Sequence, residues 1–212
     1  MEMTDMDRND GTTRDELVQR IALMEAMIAE GRQSTGRAGW IFVMWGVLYF
    51  AATGWVCYLP LRNWAWPVCM TTGMVVLASW QSRQRRAGAV RGPKSQTISA
   101  VWWTTGLAVS LFAVFGGITR HGEHTFALYL AAIVFFIGLA HAISAAILQW
   151  TMQGMVAAVW WGGGIAILFA PSPVAMLKIF LTATFFGQIV FGLYAMSLQR
   201  QRAVAERVMR HG

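Results

Sequence analysis

The chain has 212 residues, 56% hydrophobic and 13% charged, with a formal net charge of +7 and a mean hydropathy of +0.47. The charged share is about half that of a soluble globular domain. The apolar residues gather in long runs with the charges between them, which excludes a soluble core and points to an all-α polytopic membrane protein. The positive balance marks cytoplasmic loops beside anionic lipid head groups. No basic stripe interleaved with aromatics lies outside the runs, so no nucleic-acid partner is expected.

Residues 1–37 are polar and carry Asp, Glu and Arg throughout, without the apolar core of a signal peptide. They read as a cytoplasmic segment, with the first span as an uncleaved anchor. Thr13-Arg14-Asp15-Glu16 forms a capping box, and Leu17, Ile21, Met24 and Ile28 follow at spacings of four, three and four. That pattern predicts an amphipathic helix over 13–31, with Glu16 and Arg20 paired at i,i+4. Three roles stay open for its apolar stripe: lying on the membrane or bundle, pairing with a partner protein or a second copy, or being marginal alone. Two heptads do not make a stable coiled coil.

Six spans are predicted, near 38–59, 64–80, 97–119, 125–148, 152–170 and 174–198, with a basic tail over 199–212. Trp40, Trp55, Tyr58, Trp64, Trp66 and Trp80 fall at the span ends, as an aromatic belt requires. The stretch Gln81–Gln96 holds Arg83, Arg85, Arg86, Arg91 and Lys94 with no acid, and reads as a loop. Fourteen Arg and Lys lie in the amino-terminal segment, this loop and the tail, against Arg62, Arg120 and Lys178 on the other side. Both termini are therefore expected in the cytoplasm. Arginine far outnumbers lysine, a bias that fits a GC-rich bacterial genome. All five prolines are read in turns or first helical turns, so no proline-broken span is expected.

Trp45, Trp103 and Trp161, each preceded by Val at two residues, recur 58 residues apart at the starts of alternate spans. This suggests three hairpins descended from a degenerate repeat about a pseudo-threefold centre, although Trp, Val and Gly are common in such helices. The acidic and basic signature of mitochondrial carriers is missing.

His141 is the only histidine within a span, and Ser144 follows on the same helix face. An ionisable residue in a span is a functional candidate. The options are a neutral imidazole hydrogen-bonded across a helix interface, a proton or ion pathway, or a haem ligand with a methionine partner. Gln153 and Gln188 are expected to hydrogen-bond between helices. No Asp or Glu lies in any span, against carboxylate-driven coupling or a buried metal site. Gly162-Gly163-Gly164 lacks the following Lys of a phosphate loop; it and the pairs Gly106/Ser110, Ala142/Ala146 and Gly162/Ala166 suit close helix packing. Cys57 and Cys69 flank one short turn, as packed thiols or a disulfide. Lys178 is placed to snorkel. His141, Ser144 and Gln188 form the candidate polar site; no catalytic, metal or cofactor-binding residue is assigned.

Ile21-Ala22-Leu23-Met24-Glu25-Ala26-Met27-Ile28 and Gly39-Trp40-Ile41-Phe42-Val43-Met44-Trp45-Gly46-Val47 resemble the start of uncharacterised bacterial six-span inner-membrane proteins with a short cytoplasmic amino-terminal helix. The resemblance covers residues 17–55 and implies the architecture but no activity. The leading expectation is a non-enzymatic membrane protein acting on a partner through its cytoplasmic helix, loop and tail. The alternatives are a small-solute carrier or channel around His141, and a haem or quinone protein.

Overall fold

A computed structural model describes residues 16–26, 38–86, 93–118 and 123–211. Among the described residues there are seven helices and no strand. They are α1 (residues 16–26), α2 (Gly39–Tyr58), α3 (Arg62–Arg86), α4 (Pro93–Ile118), α5 (Glu123–Leu148), α6 (Thr151–Leu168) and a long final rod. The rod comprises α7 (Pro173–Thr184), a π-helical stretch (Phe185–Val190) and α8 (Phe191–His211). Four segments are long and apolar enough to cross a bilayer: Gly39–Tyr58, Phe126–Leu148, Thr151–Leu168 and Pro173–Gln201.

Those four segments are also the core. α5 and α6 form the tightest hairpin, α2 lies against the final rod, and α7 contacts both α5 and α6. α3 packs chiefly on α2 and α4 chiefly on α5, as flanks. Glycines set the registers. A Cβ on Gly138 would lie 2.6 Å from the Trp161 ring, and one on Gly164 3.1 Å from Phe135, so α5 and α6 run antiparallel and close. Gly163 meets the Cβ of Ala183, which brings α6 against α7.

The connections follow local chemistry. α5 ends in a Schellman turn: Trp150 N–H donates to the Ala145 carbonyl at 3.0 Å and Gln149 sits at φ 49°. The Ser172 hydroxyl caps α7 by accepting from Ala175 N–H at 3.3 Å, with Pro173 in the first turn. At the α2–α3 turn, Trp55 Nε1 donates to the Pro60 carbonyl at 2.8 Å. Trp40 and Trp80 meet edge-to-face at the opposite end of that hairpin.

Several expectations need correction. Most of Gln81–Gln96 is helix, not loop: α3 runs to Arg86 and α4 starts at Pro93, so only residues 87–92 lie outside the described residues. Gln, Ser and Arg propagate a helix readily, and Gly88 and Gly92 are the first breakers. α3 begins at Arg62, which puts Pro67 inside the helix rather than in its first turn. The basic tail needs no correction, since its sequence allows it to extend the last helix and α8 continues as far as His211. Cys57 is exposed and Cys69 buried, both as free thiols. Trp45 covers Gly73 of α3, Trp161 covers Gly138 of α5, and Trp103 is exposed; the 58-residue recurrence is not repeated as a contact. Gly106 and Gly162 meet no neighbouring atom within 4 Å, so the small-residue pairs they begin do not pack against another helix among the described residues.

α1 carries the Glu16–Arg20 pair at 3.9 Å. Its apolar stripe is unpartnered among the described residues: Leu17, Ile21 and Met24 are each more than half exposed. Thr13, Ile28 and Gly31 lie outside the described residues.

Candidate functional site

α5 places His141 and Ser144 one turn apart on its inner face, both completely buried. α6 adds Gln153 and Trp160, and the final rod adds Thr184 and Gln188, all buried. The His141 ring is boxed by Trp102 of α4, Phe191 of α8 and Phe42 of α2, with centroids at 4.9, 5.5 and 5.6 Å. Gln188 lies one turn before Phe191, and its Cβ would be 3.2 Å from a Cβ on Gly46 of α2. Trp160 lies beneath Gly187, where the absent side chain makes room for the indole. Gln153 precedes Gly163 in α6 by ten residues, and Gly163 is level with Ala183 beside Thr184. At about 1.5 Å of rise per residue, Gln153 and Thr184 are about 15 Å apart along the bundle. The polar groups thus form a column, not a single point.

These groups lack the hydrogen bonds that the sequence led us to expect. Both ring nitrogens of His141, the hydroxyls of Ser144 and Thr184, both amide atoms of Gln153, the indole nitrogen of Trp160 and Oε1 of Gln188 have no hydrogen-bond partner among the described residues. The expectation that His141 or Gln153 bridges helices by hydrogen bonds is therefore corrected. Around His141 stand the rings of Phe42, Trp102 and Phe191, and none of them bonds to an imidazole nitrogen.

The hydroxyls make the contrast sharp. Ser and Thr in a helix ordinarily satisfy themselves on the carbonyl three or four residues back. Thr53 bonds to Tyr49 O, Thr72 to Val68 O, Ser110 to Gly106 O and Thr182 to Lys178 O, all at 2.7–2.9 Å. Ser144 and Thr184, in the column, do not.

No family model, curated protein or solved structure matches the chain.

The column has an aromatic cluster at each end. Towards the α5–α6 turn, Trp150 packs on Phe191 and Tyr194 with centroids at 5.6 and 6.4 Å. At the other end Tyr49, Trp66 and Phe180 meet with centroids at 5.8–6.3 Å. The π-helical stretch carries Gln188 and follows Thr184 directly. Such wide turns are rare and often found where a helix serves function.

The three residues singled out from the sequence, His141, Ser144 and Gln188, all fall in this column. Gln153, Trp160 and Thr184 were not assigned to a site. For Trp160 the available signal was an aromatic beside three glycines in mid-span. For Thr184 it was a hydroxyl three residues before a glycine.

Proposed function

We propose that this is a six-span bacterial inner-membrane protein with both termini in the cytoplasm, and that it carries a small solute through the bundle centre. α3 and α4, of 25 and 26 residues, supply the second and third spans as flanks of the four-segment core. The observation that carries the transport reading is the column of buried polar atoms without partners. Leaving one such group unsatisfied costs about 1–3 kcal/mol. Half a dozen of them approach the entire stability of an ordinary domain, about 5–15 kcal/mol. A sequence that needed only packing would place apolar residues there. The aromatic clusters at both ends favour a carrier that closes around its solute over an open pore. His141, near the middle of the column, and Ser144, one turn nearer Gln153, contact the solute.

Flux into proteoliposomes across a broad solute panel tests this. A saturable flux is expected that falls about tenfold in His141→Ala, roughly the loss of one good hydrogen bond. No flux for any solute, or flux untouched by His141→Ala, sinks the proposal.

The exposed stripe of α1 favours a second reading, a partner-binding or regulatory protein acting from the cytoplasm. Solvent-exposed Leu17, Ile21 and Met24 on one helix face form a groove-seeking surface. A protein partner that co-purifies stoichiometrically in mild detergent should be lost when Leu17, Ile21 and Met24 are changed together to Ser. Recovery of the same complement by both forms counts against it.

A further inference from the structure

We infer that the column binds a small uncharged solute bearing both hydrogen-bond donors and acceptors, of the amide or polyol class. Along the column the solute meets Gln153, Ser144 and His141 and then Trp160, Gln188 and Thr184 in turn, not all six at once. The inference rests on the transport reading for the solute's route, but binding stands or falls separately.

The ligand class follows from what the column offers. No Asp, Glu, Lys or Arg is among its groups, so a bound ion would surrender its hydration without a counter-charge, a loss that membrane interiors tolerate poorly. The orphaned atoms are of both kinds. Trp160 Nε1 and Gln153 Nε2 only donate, Oε1 of Gln153 and Gln188 only accept, and the hydroxyls do either. A solute with acceptors alone would leave the glutamine oxygens unmet. One with donors alone would leave the indole and amide hydrogens unmet. Amides and polyols carry both.

The walls restrict size and polarity further. Phe42, Trp102 and Phe191 close around His141 at centroid distances of 4.9–5.6 Å. These rings touch the imidazole directly, so a guest that reaches His141 has to part them, which a short polyol or a small amide does with less displacement than a bulky head group. The failure of Ser144 and Thr184 to bond back to their own helices leaves both hydroxyls free to turn towards a guest. Thr53, also buried, is bonded to Tyr49 O and lies at the outer aromatic cluster, outside the column.

The test uses the full chain in lipid nanodiscs. Thermal unfolding is followed against glycerol and acetamide, with acetate and methylammonium as charged counterparts. Glycerol or acetamide should raise the midpoint saturably, and the two ions should not. Gln153→Met swaps the amide for an apolar side chain of similar length. It should raise the midpoint without solute, because an unmet polar group is removed. It should also raise the half-saturating concentration roughly tenfold, the equivalent of one hydrogen bond. Ser144→Ala gives a second, smaller variant that is expected to fold. A rise that never saturates, or that is the same in Gln153→Met and Ser144→Ala as in the parent, overturns the inference, as does saturable stabilisation by either ion. Saturable binding without proteoliposome flux overturns transport and leaves this site standing. Flux without binding that depends on Gln153 does the reverse.

Discussion

Gly187→Ala is expected to destabilise the protein by about 3 kcal/mol, the upper end of the usual cost of overpacking a core. A Cβ at this position would drive into the Trp160 indole nitrogen and lie 2.7 Å from Cε2 of the same ring. The ring has little freedom to retreat. Trp160 is fully buried, and its Cβ is itself 3.1 Å from where a Cβ on Gly138 would stand. The π-helical stretch cannot easily re-form as α-helix either, because that would rotate Gln188 and Phe191 out of register with α2 and α5. Unfolding in mixed SDS micelles, followed by far-UV circular dichroism, reads the loss. Trp160→Leu removes the colliding ring atoms, so the double variant should show a coupling of about 1–2 kcal/mol. Strict additivity of the two substitutions would show that the contact is not what fixes Gly187.

The same contact shows where sequence reasoning stops. The helices were legible because hydrophobic run length and aromatic belts are local properties. His141 and Ser144 were legible because spacing on one helix fixes a shared face. Gln188 belongs to the candidate site on no stronger signal than a polar residue in an apolar run. Its placement in the column depends on a wide turn, and no residue in Phe185–Val190 announces one. The extra residue per turn shifts the azimuth of everything that follows, so a 3.6-residue period misplaces Phe191 relative to Thr184. Gln153 is legible as a polar residue within a span, but the interhelical hydrogen bond expected of it is not made. Burial was readable, whereas the chemistry of the facing helix was not. The basic stretch Gln81–Gln96 was misread for a different reason. Charge marks a side of the membrane, but Arg and Gln are good helix formers, so charge alone does not mark the end of a helix.

Gly192→Ala is expected to cost at least as much as Gly187→Ala, about 3–4 kcal/mol, because the obstacle is backbone and not a ring. A Cβ on Gly192 would lie 2.7 Å from the Gly39 carbonyl oxygen and 3.0 Å from Val43 N. A Cβ on Gly39 would lie 2.8 Å from the Gly192 carbonyl oxygen. Each glycine therefore accommodates the other's main chain, and no rotamer change relieves either substitution. The only response is for α2 and α8 to move apart. That movement would loosen the edge-to-face contact of Phe42 with Phe191, now at a centroid distance of 5.1 Å, and with it two of the three rings that box His141. Stability and solute binding should fall together, unlike in Gln153→Met, where stability rises as binding weakens. Because one separation of the helices relieves both clashes, Gly39→Ala and Gly192→Ala combined should cost clearly less than their sum. Gly106→Ala and Gly162→Ala are the matched controls. Neither Cβ would meet any atom within 4 Å, and alanine is the better helix former by about 1 kcal/mol, so both should be neutral or stabilising. Equal losses in all four variants would mean that general intolerance of alanine, not close approach of α2 and α8, explains the result. A full sum for the Gly39/Gly192 pair would mean that the two helices do not separate as one body.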